Sequence, residues 1–268
     1  MSKTLLVLIK YKDTEKIDLF IHGEDLFSSS EVHQVVENDG IAWDELRLID
    51  YSKESLYDSD LRDFNLDNYK LDKYKILAIK RYSYLKDKFL RMTFIIKNLI
   101  FSDDTTISMD RTKKQRETPK QRRERTKGNR PNMENFSILL KKSKVPRPIY
   151  LVNIIKTREI AMYPVGYNGK QISGKKAMAT YSRVAYKYTK KHGNYFIFLS
   201  DVKYTIADNT GTDFEWESLG IVKYKSFASL SNFNNEPMFK NAFVHKDAGI
   251  DITHVYASFS NNNSTKLE

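Results

Sequence analysis

Asn153 is the first residue here whose type and place suggest chemistry. It sits inside an otherwise apolar run, PIYLVNIIK, where a polar side chain needs a partner or a function. Arg158 and Tyr163 follow on a long polar segment, Thr157–Ile172, and Tyr181 lies on the inner face of the next helical stretch. A ligand held between the strand and that segment would touch all four. The set suits a small organic molecule with a carbonyl or carboxylate, because Arg can grip such a group bidentately. His192 ends the same helical stretch. It could serve as an acid or base near neutral pH, and a His there also complements the negative end of a helix. No residue stands out as catalytic, and the sequence leaves open whether the chain is an enzyme.

Other chemistries find little support. The five histidines, His22, His33, His192, His245 and His254, never pair at H-x-x-x-H spacing, and there is no cysteine. No metal site is expected, nor a disulfide or thiolate nucleophile. There is no G-x-x-x-x-G-K-[ST], G-x-G-x-x-G or G-x-S-x-G, so no cofactor is expected either. Asn209-Thr210-Gly211 reads as a hairpin tip, and Glu215 and Glu217, which flank Trp216, read as solvated.

The elements that must position these residues follow from periodicity. Ile149–Lys156 is an apolar strand ended on its N-terminal side by Pro146 and Pro148. Ser173 is an N-cap, and Ala177, Tyr181, Val184, Ala185 and Tyr188 make a helical face that Gly193 terminates. Tyr195–Val202 is a second strand, DNTGTD a turn, and Phe214–Tyr224 a third strand. Phe227–Ala248 is helical with a break near Pro237, and Ile250–Phe259 is the fourth strand. The order is β-α-β-β-α-β.

The N-terminal part repeats some of this. Thr4–Tyr11, Glu31–Glu37, Trp43–Tyr51 and Lys75–Tyr82 read as strands, with a weak helix over Asp13–Phe27 and a helical stretch over Ser52–Asp67. Trp43, Leu46 and Tyr51 share the spacing of Trp216, Leu219 and Tyr224, and these are the chain's two tryptophans. An internal repeat follows as an expectation. Between the copies, Leu85, Phe89, Met92, Ile96 and Leu99 fall on one helical face. Residues 111–130 hold ten Lys/Arg and two Glu, a net +8 of the chain's +11, so the basicity belongs to this linker. With almost no apolar residues it is expected to be disordered or loosely helical. The expected boundaries are a degenerate unit at 1–83, the amphipathic helix and basic linker at 84–132, a second unit at 133–260 and a polar tail at 261–268.

The C-terminal motifs, VNIIKTRE at Val152–Glu159, YPVG at Tyr163–Gly166, SGKKAMATYSR at Ser173–Arg183, His192-Gly193, EWESLGIVKYKSF around Trp216 and EPMFKNAFVHKDAGI at Glu236–Ile250, resemble the domain-of-unknown-function 1330 family. That family lies within the ferredoxin-like dimeric α/β-barrel superfamily. The resemblance covers about 110 residues; the N-terminal unit matches only at its hairpin and last strand. It implies an α+β fold: two tandem ferredoxin-like units with antiparallel sheets, packed as an intramolecular α/β-barrel pseudo-dimer, or a homodimer. The superfamily includes monooxygenases, isomerases and haem-degrading members, so the fold does not determine a reaction.

Two functions are carried forward. One is a small-molecule-binding barrel protein, with cofactor-independent catalysis open. The other is a non-catalytic scaffold whose tract, Arg111 to Arg130, contacts nucleic acid or anionic lipid through charge. RNA recognition by the sheet is disfavoured, since ESLGIVKYKSF offers only Tyr224 for stacking. No window reaches the roughly 18 apolar residues of a membrane span, and a cytoplasmic location is expected.

Overall fold

The computed structural model describes residues 3–12, 24–36, 40–50, 66, 71–80, 117–142, 147–212 and 214–259. The strands are β1 (Lys3–Tyr11), β2 (Glu24–Ser29), β3 (Val32–Val36), β4 (Glu45–Asp50), β5 (Leu71–Lys80), β6 (Ile149–Thr157), β7 (Tyr195–Asp208), β8 (Ser218–Tyr224) and β9 (Ile250–Ser258). Five α-helices lie among the described residues: α1 (Pro119–Arg125), α2 (Met133–Lys142), α3 (Gly174–Lys191), α4 (Phe227–Asn235) and α5 (Pro237–Gly249). The expected helix at 85–99 and the stretch over Ser52–Asp67, apart from Leu66, fall outside the described residues. No helix among the described residues is long and apolar enough to cross a membrane.

All nine strands form one sheet in the order β2-β4-β1-β5-β7-β8-β6-β9-β3, and every pairing is antiparallel. β7 is the splice. Its first half, Tyr195–Asp201, pairs with β8, and its second half, Val202–Asp208, pairs with β5. β2 and β3 stand at opposite ends of the order yet are joined through only Ser30 and Glu31. The sheet therefore curls until its edges meet, and Ser29 Oγ donates to the carbonyl of Phe259 at 2.8 Å across that junction.

A curled sheet has an inner and an outer face, and alternation sorts the side chains between them. In β1, Leu6 and Leu8 join the inner core, while Leu5, Val7 and Ile9 join an outer one. Burial on both sides explains the unbroken apolar run TLLVLI. In β6, Tyr150, Val152 and Ile154 point inward. Ile149 and Leu151 point to the helices, and so by alternation does Asn153. The inner core also takes Trp43, Trp216, Phe27 and Tyr256.

Two expectations are corrected. The weak helix over Asp13–Phe27 gives way over Glu24–Phe27 to strand β2; residues 13–23 are outside the described set. A register shift between Asp25 and Phe27 lets the consecutive Leu26 and Phe27 both enter the inner core. The second correction concerns the basic tract, which is folded over 117–130 rather than loose. Thr118 and Gln121 form a reciprocal capping box, Pro119 opens the helix, and a short 3₁₀ turn follows at Lys127–Asn129. Arg125 is buried; its Nε and Nη2 donate to Glu117 at 2.8 and 3.1 Å, and Nη1 lies 3.6 Å from Asp247. Gly128 packs so closely on β9 that a Cβ there would fall 1.8 Å from the Asp251 carbonyl oxygen.

On the outer face α3 and α5 cross in close contact. A Cβ at Gly174 would meet the carbonyl oxygens of Arg158 and Gly249 at 2.3 and 2.5 Å. Glycine at this crossing brings the two helices together over the sheet.

Candidate functional site

A cavity of about 290 Å³ lies between the outer face of the C-terminal strands and the helices above it. Its floor is strand: Leu151, Asn153, Ile155, Gly220, Val222, Tyr224 and Val255. Gly220 pairs with Asn153 across β6 and β8 and carries no side chain to fill the space. The roof comes from one face of α3, where Met178, Tyr181, Ser182, Ala185 and Thr189 follow at helical spacing, and from Phe239, Phe243 and Lys246 of α5. The wall is mostly apolar, with a few polar groups placed among aromatics, the usual make-up of a ligand pocket.

Those polar groups have distinct states. Asn153 Nδ2 donates to the carbonyls of Leu151 at 3.0 Å and Gly220 at 3.2 Å. Both amide hydrogens are thereby used, the amide orientation is set by its partners, and Oδ1 remains as an acceptor. Thr189 is buried, and its hydroxyl has no hydrogen-bond partner among the described residues. A buried hydroxyl without a partner is costly, and this one belongs to the cavity wall. Tyr181 and Tyr224 have phenols pushed well above the ordinary value, chiefly by burial; for Tyr181 the Tyr224 phenol and Asp247 add to the shift. Both phenols stay protonated at neutral pH and can donate. Tyr181 is held by the rings of Phe239 and Phe243, at 5.6 and 6.1 Å.

The residues singled out from the sequence separate into four places. Asn153 and Tyr181 share the cavity. Arg158 lies in an open cleft with Lys156, Glu159, Lys175, Glu217 and Asp251. Its Nη2 donates to the Arg125 carbonyl at 3.0 Å, and Nη1 lies 3.7 Å from Asp251, so it anchors α1. Tyr163 stacks on Tyr167 at 3.8 Å, and its hydroxyl meets His245 Nδ1 at 2.8 Å. Burial raises its phenol as well, helped by Tyr167. His192 caps α3, with Nε2 3.4 Å from Glu236 Oε2. Lys191 also donates to Glu236, at 3.2 Å, and together they hold that carboxyl below its usual range, the Lys191 bond contributing most. Glu217, read as solvated, instead accepts from the Thr157 hydroxyl at 2.6 Å and its amide at 3.2 Å.

Sequence reasoning passed over Tyr224, Thr189, Ser182, Gly220 and Lys246. One signal was available: Phe239, Phe243 and Lys246 fall at steps of four and three, which puts the lysine on an apolar stripe.

Fold and site together define an α+β protein with one large antiparallel sheet and a helix-covered cavity. No family model matches the chain, and no curated protein matches it. Two crystal structures are similar. Methylated RPA0582 protein matches at 21% identity and TM-score 0.43, over 48% of this chain and 91% of its own. The RPA0582 protein of unknown function from Rhodopseudomonas palustris, a structural genomics target, matches at 20% identity and TM-score 0.42, over 47% and 92%.

Proposed function

We propose that this chain binds a small, mostly apolar organic molecule with one hydrogen-bonding head in the cavity between sheet and helices. The observation that carries this reading is the pairing of an unpartnered buried Thr189 hydroxyl with the Asn153 acceptor in an otherwise apolar wall. A volume of about 290 Å³ is at the small end of ligand pockets. In this reading the chain is an intramolecular α/β barrel of two ferredoxin-like units, similar in its C-terminal half to the domain-of-unknown-function 1330 family. Strand order supports it: β2-β4-β1-β5 and β7-β8-β6-β9 both run second, third, first, fourth, with β3 continuing β2. Each second strand extends onto the other unit's fourth, β7 onto β5 and β3 onto β9.

A thermal-shift screen of small aldehydes, ketones, carboxylic acids and phenols tests the reading. A compound that raises the Tm of the wild type should bind Asn153→Leu about tenfold more weakly, the cost of one lost hydrogen bond. It should not bind Ser182→Phe, which fills the cavity, and should still bind Arg158→Ala. Binding that survives Ser182→Phe but is lost in Arg158→Ala would move the site to the open cleft and overturn the proposal. So would a screen in which no compound shifts the wild type.

A second reading rests on α1. Arg125, held by Glu117 and Asp247, pins the helix and the turn after it to the body, while Lys120, Arg122, Arg123, Lys127 and Arg130 are exposed. No large apolar side chain accompanies them between 117 and 130, which favours a phosphate backbone over insertion into a bilayer. Replacing Lys120, Arg123 and Lys127 by Gln should flatten the salt dependence of duplex DNA binding by about 2.7 in log–log slope, ~0.9 per contact. Unchanged DNA retention, or retention only on anionic vesicles, would sink it.

A further inference from the structure

Lys246 is set apart from Lys75, the one fully buried lysine among the described residues. The Lys75 Nζ reaches Thr212 Oγ1 at 3.1 Å and Asp208 at 3.5 Å. Lys246 lines the cavity, half-buried. Its one ring contact is with Phe243, whose centroid is 5.6 Å from Nζ, and no carboxylate lies within ion-pair distance among the described residues. Phe243 and Phe239, one and two steps back on the same helical stripe, are also cavity lining. An amine in this setting is poorly solvated in its charged form. Burial pulls its pKa below the ordinary lysine value, and the Asp247 charge opposes this only in part. The consequence is a larger share of neutral, nucleophilic amine at neutral pH.

The surrounding groups complement such an amine. Tyr181 and Tyr224 line the same cavity with protonated phenols, and Thr189 and Ser182 add hydroxyls. These are donors for an oxygen that gains charge as an amine adds to its carbon. The rest of the wall suits an apolar body.

Building on the cavity reading, we infer that its ligands are small apolar aldehydes or ketones and that Lys246 forms an imine with their carbonyl carbon. The Nζ lone pair adds to that carbon, the carbonyl π pair moves to oxygen, and a proton passes from the new ammonium nitrogen to that oxygen to give a carbinolamine. Loss of one water then leaves the C=N bond, and hydrolysis by one water reverses the sequence. Lys246 is thus a covalent ligand for the bound molecule, and the phenols position the carbonyl oxygen.

The test uses the full chain, benzaldehyde as the carbonyl probe and cyanoborohydride as the trap. The trap delivers hydride to the imine carbon, and the nitrogen becomes a secondary amine. Peptide mapping should find Lys246 benzylated at least about tenfold faster than the exposed Lys120 and Lys175, because the cavity holds amine and carbonyl together. Lys246→Arg should lose that label and keep the labels on exposed lysines. Toluene, which fits the same space but forms no imine, should raise the Tm and slow labelling at Lys246. Labelling spread evenly over exposed lysines while toluene still raises the Tm would overturn the imine and leave the cavity reading standing. No toluene shift and no preference for Lys246 would overturn both. The wild-type label map decides the matter even if Lys246→Arg does not fold.

Discussion

His254 should make this protein sensitive to mild acid, by an amount that can be worked out. It lies on β9 in the inner core, 3% exposed, with ring centroids of Trp216 and Phe214 at 5.0 and 6.2 Å. Its Nδ1 is 3.2 Å from the Tyr256 hydroxyl. Nearby charge comes from Lys75, itself buried against Asp208. Burial first, and the Lys75 charge second, push the imidazole down to about 3 from 6.5. Between those values the unfolded chain binds a proton that the native chain does not. Stability from this group is therefore complete above pH 6.5 and is lost as pH falls toward 3. The slope is ~1.4 kcal/mol per pH unit, so moving from pH 6.5 to about pH 5 costs about 2 kcal/mol.

Other groups also carry shifted protonation equilibria. His33 is also lowered, by burial and by the Lys142 charge, and Glu31 is lowered by Lys142 and Arg147 against the opposing effect of burial. The measurement must therefore be a difference. Urea unfolding of wild type and His254→Phe at pH 7 and pH 5 supplies it. Phe keeps the ring packing and removes the titration, and the lost bond to Tyr256 costs about the same at both pH values. Wild type should lose about 2 kcal/mol more than the variant. Equal acid losses, or an imidazole that titrates near its ordinary value in the folded protein by NMR, would refute the reasoning.

Gly174→Ala should cost ~1–3 kcal/mol in the same urea assay, because its Cβ meets the backbone oxygens of Arg158 and Gly249, and relief requires the start of α3 to move off both the segment after β6 and the end of α5. Arg125→Met should speed amide exchange over 119–130 and weaken DNA retention on the second reading, while leaving cavity binding intact, since Arg125 holds α1 and does not line the cavity.

What could be read from the chain follows the range of the interactions. β6, β9 and α3 were visible because alternation, a Ser N-cap and a left-handed Gly193 are local signals. The Pro237 break between α4 and α5 was visible for the same reason. Asn153 and Tyr181 could be singled out because one interrupts and the other continues an apolar face, but the expected place, beneath Thr157–Ile172 with Arg158 and Tyr163, is not where the cavity they line lies. The second half of β7 was not legible: KYTIAD runs straight into the polar DNTGTD turn, and it is strand because β5, far back in the chain, supplies its hydrogen bonds. At 117–130 a local signal was present, the capping box of Thr118 and Gln121 with Pro119, but the density of charge obscured it, and the docking of Arg125 on Asp247 comes from another helix. Lys246 was masked by its own sequence, since HKDAG reads as the charged end of a helix, where a lysine is ordinary.

Side-chain size distinguishes the two faces of the curled sheet. The inner face is filled by Trp43, Trp216, Tyr150, Phe27 and Tyr256, with Trp43 and Tyr256 meeting edge to face at 6.5 Å. Its charges are matched internally, Lys75 with Asp208 and Thr212. Both tryptophans stand two residues before their strands, β4 and β8, so each half brings one indole to the same interior. The outer face over the C-terminal strands is built in the opposite way. Gly220 and Asn153 stand opposite each other on the floor, Ala185 and Ser182 are small residues in the roof, and the helices cross through glycine. Among the described residues the interior is packed with indoles while the helix side is hollowed by small residues, so on the proposed reading a ligand gains its binding energy in the cavity under the helices. The groups that deserve mutation first are there: Asn153, Thr189 and Lys246.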